Sequence, residues 1–113
     1  MMRYEVTISY QAEQDLREIF EYIAFELLAP ENANSQFNRI ERAIEKLETF
    51  PEKHRQYTKE PWKSRNLRVM PVDNYCVFYI PDREELTVTV IRVIYGGRDI
   101  DRQLADFTED PAD

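Results

Sequence analysis

Between Pro51 and Met70 the chain places Lys53, Arg55, Lys59, Lys63, Arg65 and Arg68 against only Glu52 and Glu60, and a further arginine closes the turn Gly96-Gly97-Arg98-Asp99. Guanidinium and ammonium groups brought together hold phosphates or runs of carboxylates through charge-assisted hydrogen bonds. If Lys59, Lys63, Arg65, Arg68 and Arg98 converge on an open sheet face, they form such an anion site. The competing reading is scattered surface charge, which composition alone favours. His54 with Tyr57 offers acid–base chemistry, against the plainer reading of a solvated loop histidine. Tyr57, Trp62, Tyr75, Tyr79 and Tyr95 could stack nucleic-acid bases, although packing in a core or an interface is the commoner use of such rings. Cys76, between apolar neighbours, reads as a buried structural thiol. Neither a dinucleotide fingerprint nor a P-loop accompanies the paired glycines, and no Cys or His spacing suits a metal. The residues by themselves define no active site and call for no cofactor.

The elements that must position these groups follow from periodicity. Tyr4, Val6 and Ile8 alternate with Arg3, Glu5, Thr7 and Ser9, the pattern of a half-buried strand. Ser9 is placed to cap a helix, and Ala12, Leu16, Ile19, Phe20, Ile23 and Leu27 recur at helical spacing, which predicts a helix from about Tyr10 to Leu28. Glu13 and Asp15 stand in its early turns, where the helix dipole favours them. Ala29-Pro30-Glu31 interrupts it, and Pro30 suits the start of the next helix. Ala33, Phe37, Ile40, Ile44 and Leu47 then form a narrow stripe that suits helix–helix packing, up to Phe50-Pro51. Glu52–Ser64 lacks any period and reads as a loop.

Three β-rich runs follow at Asn66–Val72, Tyr75–Ile80 and Leu86–Tyr95. Pro71 ends or edges the first, because proline cannot donate to a ladder. Asp73-Asn74 is a turn, and Pro81–Glu85 is a polar hairpin loop. Ile91, Val93 and Ile94 break the alternation set by Leu86, Val88 and Val90, which predicts a bulge or a strand buried on both faces. The order β-α-α-β-β-β predicts an α+β domain: a small antiparallel sheet packed against an N-terminal αα-hairpin. One domain over residues 1–107 and an acidic tail at 108–113 complete the expectation.

At 113 residues a domain buries roughly two-thirds of the surface its unfolded chain exposes, so no disulfide or metal staple is needed. Cys76 is the only cysteine. No signal-like segment and no membrane-length apolar run occur, which reads as a cytoplasmic protein. The net charge of −7 argues against general affinity for nucleic acid.

Three strings in this order resemble the RelE/ParE toxin superfamily over residues 3–104. Tyr4–Ser9 followed by Ala12–Leu16 is similar to its opening strand and helix. Phe50-Pro51-Glu52, Leu67-Arg68-Val69 and Tyr75–Tyr79 are similar to its central part. Ile91–Ile100 resembles its last strand and the turn beyond. The resemblance implies the toxin of a type II toxin–antitoxin (plasmid-stabilisation-type) module, held inactive by a cognate antitoxin. Its RelE-type members cut mRNA on the ribosome with basic residues and a tyrosine, whereas its ParE-type members inhibit DNA gyrase without that constellation. Carried over, the two strand cations of the RelE type fall at about Leu67 and Val69, an arginine at Cys76 and the tyrosine at about Leu104. Only the final arginine is matched, by Arg98. An apolar site cannot stabilise the charge that develops during phosphodiester cleavage.

The resemblance therefore leans to the ParE branch and to a non-enzymatic gyrase inhibitor without catalytic residues. A RelE-like endoribonuclease using Arg68 and Arg98 is the alternative, and a non-toxic antitoxin-binding member is the third. Lys63, Arg65, Arg68, Tyr75 and Arg98 are the expected antitoxin- or target-binding residues. The antitoxin is expected to dock an extended or helical segment on the sheet and hairpin groove.

Overall fold

The computed structural model describes residues 3–97 and 99–107, with side chains to residue 105. Arg98 and the acidic segment 108–113 lie outside the described residues. The chain runs β1 (Glu5–Ile8), α1 (Tyr10–Glu21), a π-helical turn (Tyr22–Glu26), α2 (Pro30–Glu45), short 3₁₀ turns at Lys46–Glu48 and Pro51–Lys53, β2 (Arg68–Val72), β3 (Tyr75–Asp82), β4 (Thr87–Tyr95) and α3 (Ile100–Phe107).

Local chemistry fixes most of these boundaries. The Ser9 hydroxyl accepts the Ala12 N–H at 3.1 Å and donates to the Ile91 carbonyl at 3.1 Å, so one side chain starts α1 and ties it to β4. α1 gives way to the π-helical turn after Glu21, and the helical stripe ends before Leu27, which is exposed. Leu28 adopts a left-handed φ of 53° to reverse the chain, and Pro30 opens α2. The two helices pack through an edge-to-face contact of Phe20 and Phe37.

The sheet order is β1-β4-β3-β2. β2, β3 and β4 form the expected antiparallel meander, whereas β1 pairs parallel with β4. The reason lies in the connection: the helical hairpin carries the chain across the whole sheet to its far edge, and the meander returns to β1 with β4 in the same direction. A register shift opposite Phe78 and Tyr79 leaves Ile91 unpaired in β4, the bulge that the broken alternation predicts. It turns Ile91 to one face and lets Val93 rejoin Val88 and Val90 on the other.

Both faces of the sheet are covered. On the hairpin side, Ala12, Leu16, Ile40, Ile44 and Leu47 pack on Val77, Tyr79, Val88 and Val90. On the far side, Trp62, Leu67, Val69, Phe78, Ile91, Ile94 and Leu104 form a second cluster. The 57–67 loop and α3 thus supply a third layer that the sequence reading lacked, and the open sheet face on which the cations were to converge does not exist.

Candidate functional site

Apart from Arg98, which lies outside the described residues, the residues singled out in the sequence have definite places. Arg68 projects on the hairpin side of β2 and donates from Nη1 to the carbonyls of Glu52 (2.8 Å) and His54 (2.9 Å), and from Nη2 to Asn66 Oδ1 (3.2 Å). It holds the 52–54 loop on the sheet. Next to it, the Tyr79 hydroxyl donates to the Pro51 carbonyl, and the His54 ring stands edge-on to Tyr79. Arg65 lies over Trp62 at 5.6 Å, on the opposite face, and Lys63 is exposed on the same loop. Tyr75 is half-buried against the hairpin-side core and edge-on to Tyr95. Lys59 pairs with Asp101 of α3, to which Tyr57 also donates. The structure therefore distributes Lys59, Lys63, Arg65 and Arg68 over both sides of the sheet and does not gather them.

The turn at the end of β4 uses its glycines for space. Neither has a left-handed φ, but a Cβ on Gly97 would fall 2.6 Å from the Tyr95 ring. Leu67, Val69, Cys76 and Leu104, the positions that the RelE resemblance assigns to nuclease residues, all meet in the far-side cluster. Leu67 and Leu104 are fully buried there, and burial pushes the Cys76 thiol up from its ordinary pKa. These four positions pack in one cluster, and their side chains are apolar.

A cationic site arises elsewhere. A groove of about 400 Å³ lies between α2 and β2. Arg39, Arg42, Lys46, Lys53 and His54 rim it, and Leu47, Met70 and Pro71 contribute its apolar part. Arg39, Arg42 and Lys46 recur at intervals of three and four on one face of the helix end. That spacing is legible in the sequence as cations three and four residues apart, although these residues lie outside the basic 51–70 stretch. Arg39 is bound to Asp73 at 2.7 Å, which pins α2 to the β2–β3 turn. Burial, and then the field of Lys53, holds the His54 imidazole below its ordinary pKa. Among the described residues no cluster of three His, Cys, Asp or Glu side chains could hold a metal, and no helix is long and apolar enough to cross a membrane.

A helical hairpin on one face of a β1-β4-β3-β2 sheet, with a short C-terminal helix on the other, defines the chain as a RelE/ParE-superfamily toxin fold. More narrowly, the chain belongs to the ParE toxin family of type II toxin–antitoxin systems, parDE, whose pattern matches residues 6–100. Solved structures carry the same fold. The chromosomal ParDE system of P. aeruginosa superposes with a TM-score of 0.68 at 14% identity, covering 82% of this chain and 96% of that one. The RelBE2 toxin–antitoxin complex of Mycobacterium tuberculosis gives 0.59 at 20% identity, covering 83% and 99%. The archaeal RelE–RelB complex of Pyrococcus horikoshii OT3 gives 0.60 at 16%, covering 87% and 100%. No curated protein sequence matches the chain.

Proposed function

We propose that this toxin acts by binding proteins rather than by cutting RNA: it inhibits DNA gyrase in the cytoplasm, and a cognate antitoxin neutralises it. The observation that carries this reading is the far-side cluster. Leu67, Val69, Cys76 and Leu104, the positions that the resemblance assigns to the nuclease type's cations and tyrosine, pack in it, and these four side chains offer no cation or hydroxyl to bind or activate a ribose phosphate. Two surfaces support a protein-binding role. The hairpin tip exposes Tyr22, Phe25, Leu27 and Leu28 together, an apolar patch of the kind that marks protein contacts. β1 is an edge strand: Glu5 and Ser9 donate toward β4, so the backbone groups of Val6 and Ile8 face away from the sheet. An antitoxin strand can extend the sheet there while a helix packs on the hairpin.

Of the expected contact residues, Lys63, Arg65, Tyr75 and Arg98 serve partner binding directly, and Arg68 serves it by shaping the 52–54 loop. Induced expression without antitoxin, with DNA and protein synthesis pulse-labelled in parallel, tests the target. DNA synthesis failing first, together with inhibition of gyrase supercoiling by purified toxin, is the expected result. Protein synthesis failing first, with cleaved mRNA, would overturn it in favour of the nuclease, and absence of toxicity would leave antitoxin binding alone.

A further inference from the structure

We propose that the apolar tip of the helical hairpin is the surface that meets the toxin's target, and that it docks on the basic, DNA-holding face of that enzyme. This rests on the gyrase reading above and adds to it the contact surface and its chemistry. Tyr22, Phe25, Leu27 and Leu28 stand together where the π-helical turn leads into α2, and they are 56%, 68%, 56% and 81% exposed. Leu28 is the sharpest case. Its φ of 53° is a left-handed conformation that strains a bulky side chain and that glycine adopts freely. A leucine held there in water gains nothing within this chain, so its return comes from an apolar recess on a partner.

Charge selects the occupant. Glu18, Glu21, Glu26 and Glu31 are exposed around these four residues, and among the described residues none of them forms an ion pair. Arg17 is the only basic residue between Tyr10 and Asn38. Neither α1 nor the π-helical turn carries a cation in its last turn, where Glu21 and Glu26 oppose the helix dipole. A carboxylate rim of this kind repels nucleic acid and anionic lipid headgroups, and two copies meeting tip to tip would set like charges against each other. It attracts cations. A protein that grips DNA presents Lys and Arg for the phosphates, and the rim meets those cations in the place of the DNA backbone while Phe25 and Leu28 supply the apolar anchors.

The test sets stability against function in purified toxin and purified gyrase. Leu28→Gly relieves the backbone, and Glu21→Lys with Glu26→Lys suits the dipole, so both variants are expected to melt at or above the wild-type temperature. Each is nevertheless expected to raise the toxin concentration for half-inhibition of supercoiling by at least about tenfold, as is Phe25→Ser. Toxin bound to gyrase is expected to be displaced by an excess of a short linear DNA duplex, and to be held less tightly as salt rises. Equal inhibition by the three variants would overturn the docking surface and leave the gyrase reading standing, whereas wild-type toxin without effect on gyrase would overturn both. Binding undiminished by the duplex would overturn the DNA-holding face as the partner. A wild-type dimer that the variants render monomeric, binding of anionic vesicles that they lose, or failure of the antitoxin to neutralise variants that still inhibit gyrase would each assign the tip to another occupant and overturn the proposal.

Discussion

Asp15 of α1 and Arg92 of β4, 77 residues apart in the chain, form a bidentate ion pair with nitrogen–oxygen distances of 2.7 and 2.9 Å, both side chains almost wholly buried. The pair is a junction of three elements. Asp15 also accepts the Val93 N–H at 2.9 Å, and Arg92 donates to the Gln103 carbonyl of α3 at 2.8 Å. β4 outruns β1 at this point, and the carboxylate satisfies a backbone donor that the missing strand leaves open. Removing either partner strands a buried charge. Asp15→Leu or Arg92→Met is expected to cost about 3–5 kcal/mol in urea unfolding. The double variant is expected to cost less than the sum of the two, because neither charge is then left alone.

Arg68 is expected to matter for stability before it matters for any partner. Its two loop carbonyls are charge-assisted acceptors, so Arg68→Ala should destabilise by about 1.5–3 kcal/mol and speed amide exchange around residues 52–54. Tyr79→Phe, which removes one neutral bond to Pro51, should cost about 1 kcal/mol. An Arg68→Ala variant with unchanged stability would mean that the guanidinium does not hold the loop.

His54 gives stability a pH dependence of known sign. Its folded-state pKa lies below the ordinary value of 6.5, chiefly through burial and secondarily through Lys53. Above about pH 6.5 the ring is neutral in both states. Below it the unfolded chain takes up the proton first, so stability falls with pH until the lowered folded-state value is reached. Unfolding midpoints measured just below pH 6.5 should decline in the wild type, and this part of the decline should vanish in His54→Gln.

The far-side cluster should behave as core. Leu104 of α3 is fully buried in that cluster, and Leu104→Ala is expected to cost about 2–5 kcal/mol. α3 is also moored by Asp101, whose bonds to Lys59 and then Tyr57 hold its carboxyl below the usual range. Asp101→Asn should therefore loosen α3, seen as faster amide exchange at Leu104 with the meander unaffected.

The sequence alone determined the elements, because their causes are local. Alternation marked the strands, the Ala33–Leu47 stripe marked α2, Ser9 marked the start of α1, and the broken period at Ile91 marked the bulge. The apolar character of Leu67, Val69 and Leu104, positions that the resemblance assigns to nuclease residues, is likewise visible without any fold. Tertiary structure decided everything that depends on long-range pairing. Asp15 reads as a dipole-favoured surface residue until β4 places Arg92 against it. Arg68 reads as a free cation until the 52–54 carbonyls close on it. The parallel β1–β4 pairing and the covered second face both follow from where the crossover lands, which no local period encodes. The same reason scattered the cations of the 51–70 stretch: neighbours in sequence along a loop go to opposite faces of a sheet, while Arg42 and Lys53 meet across a groove only because α2 lies over the edge of β2.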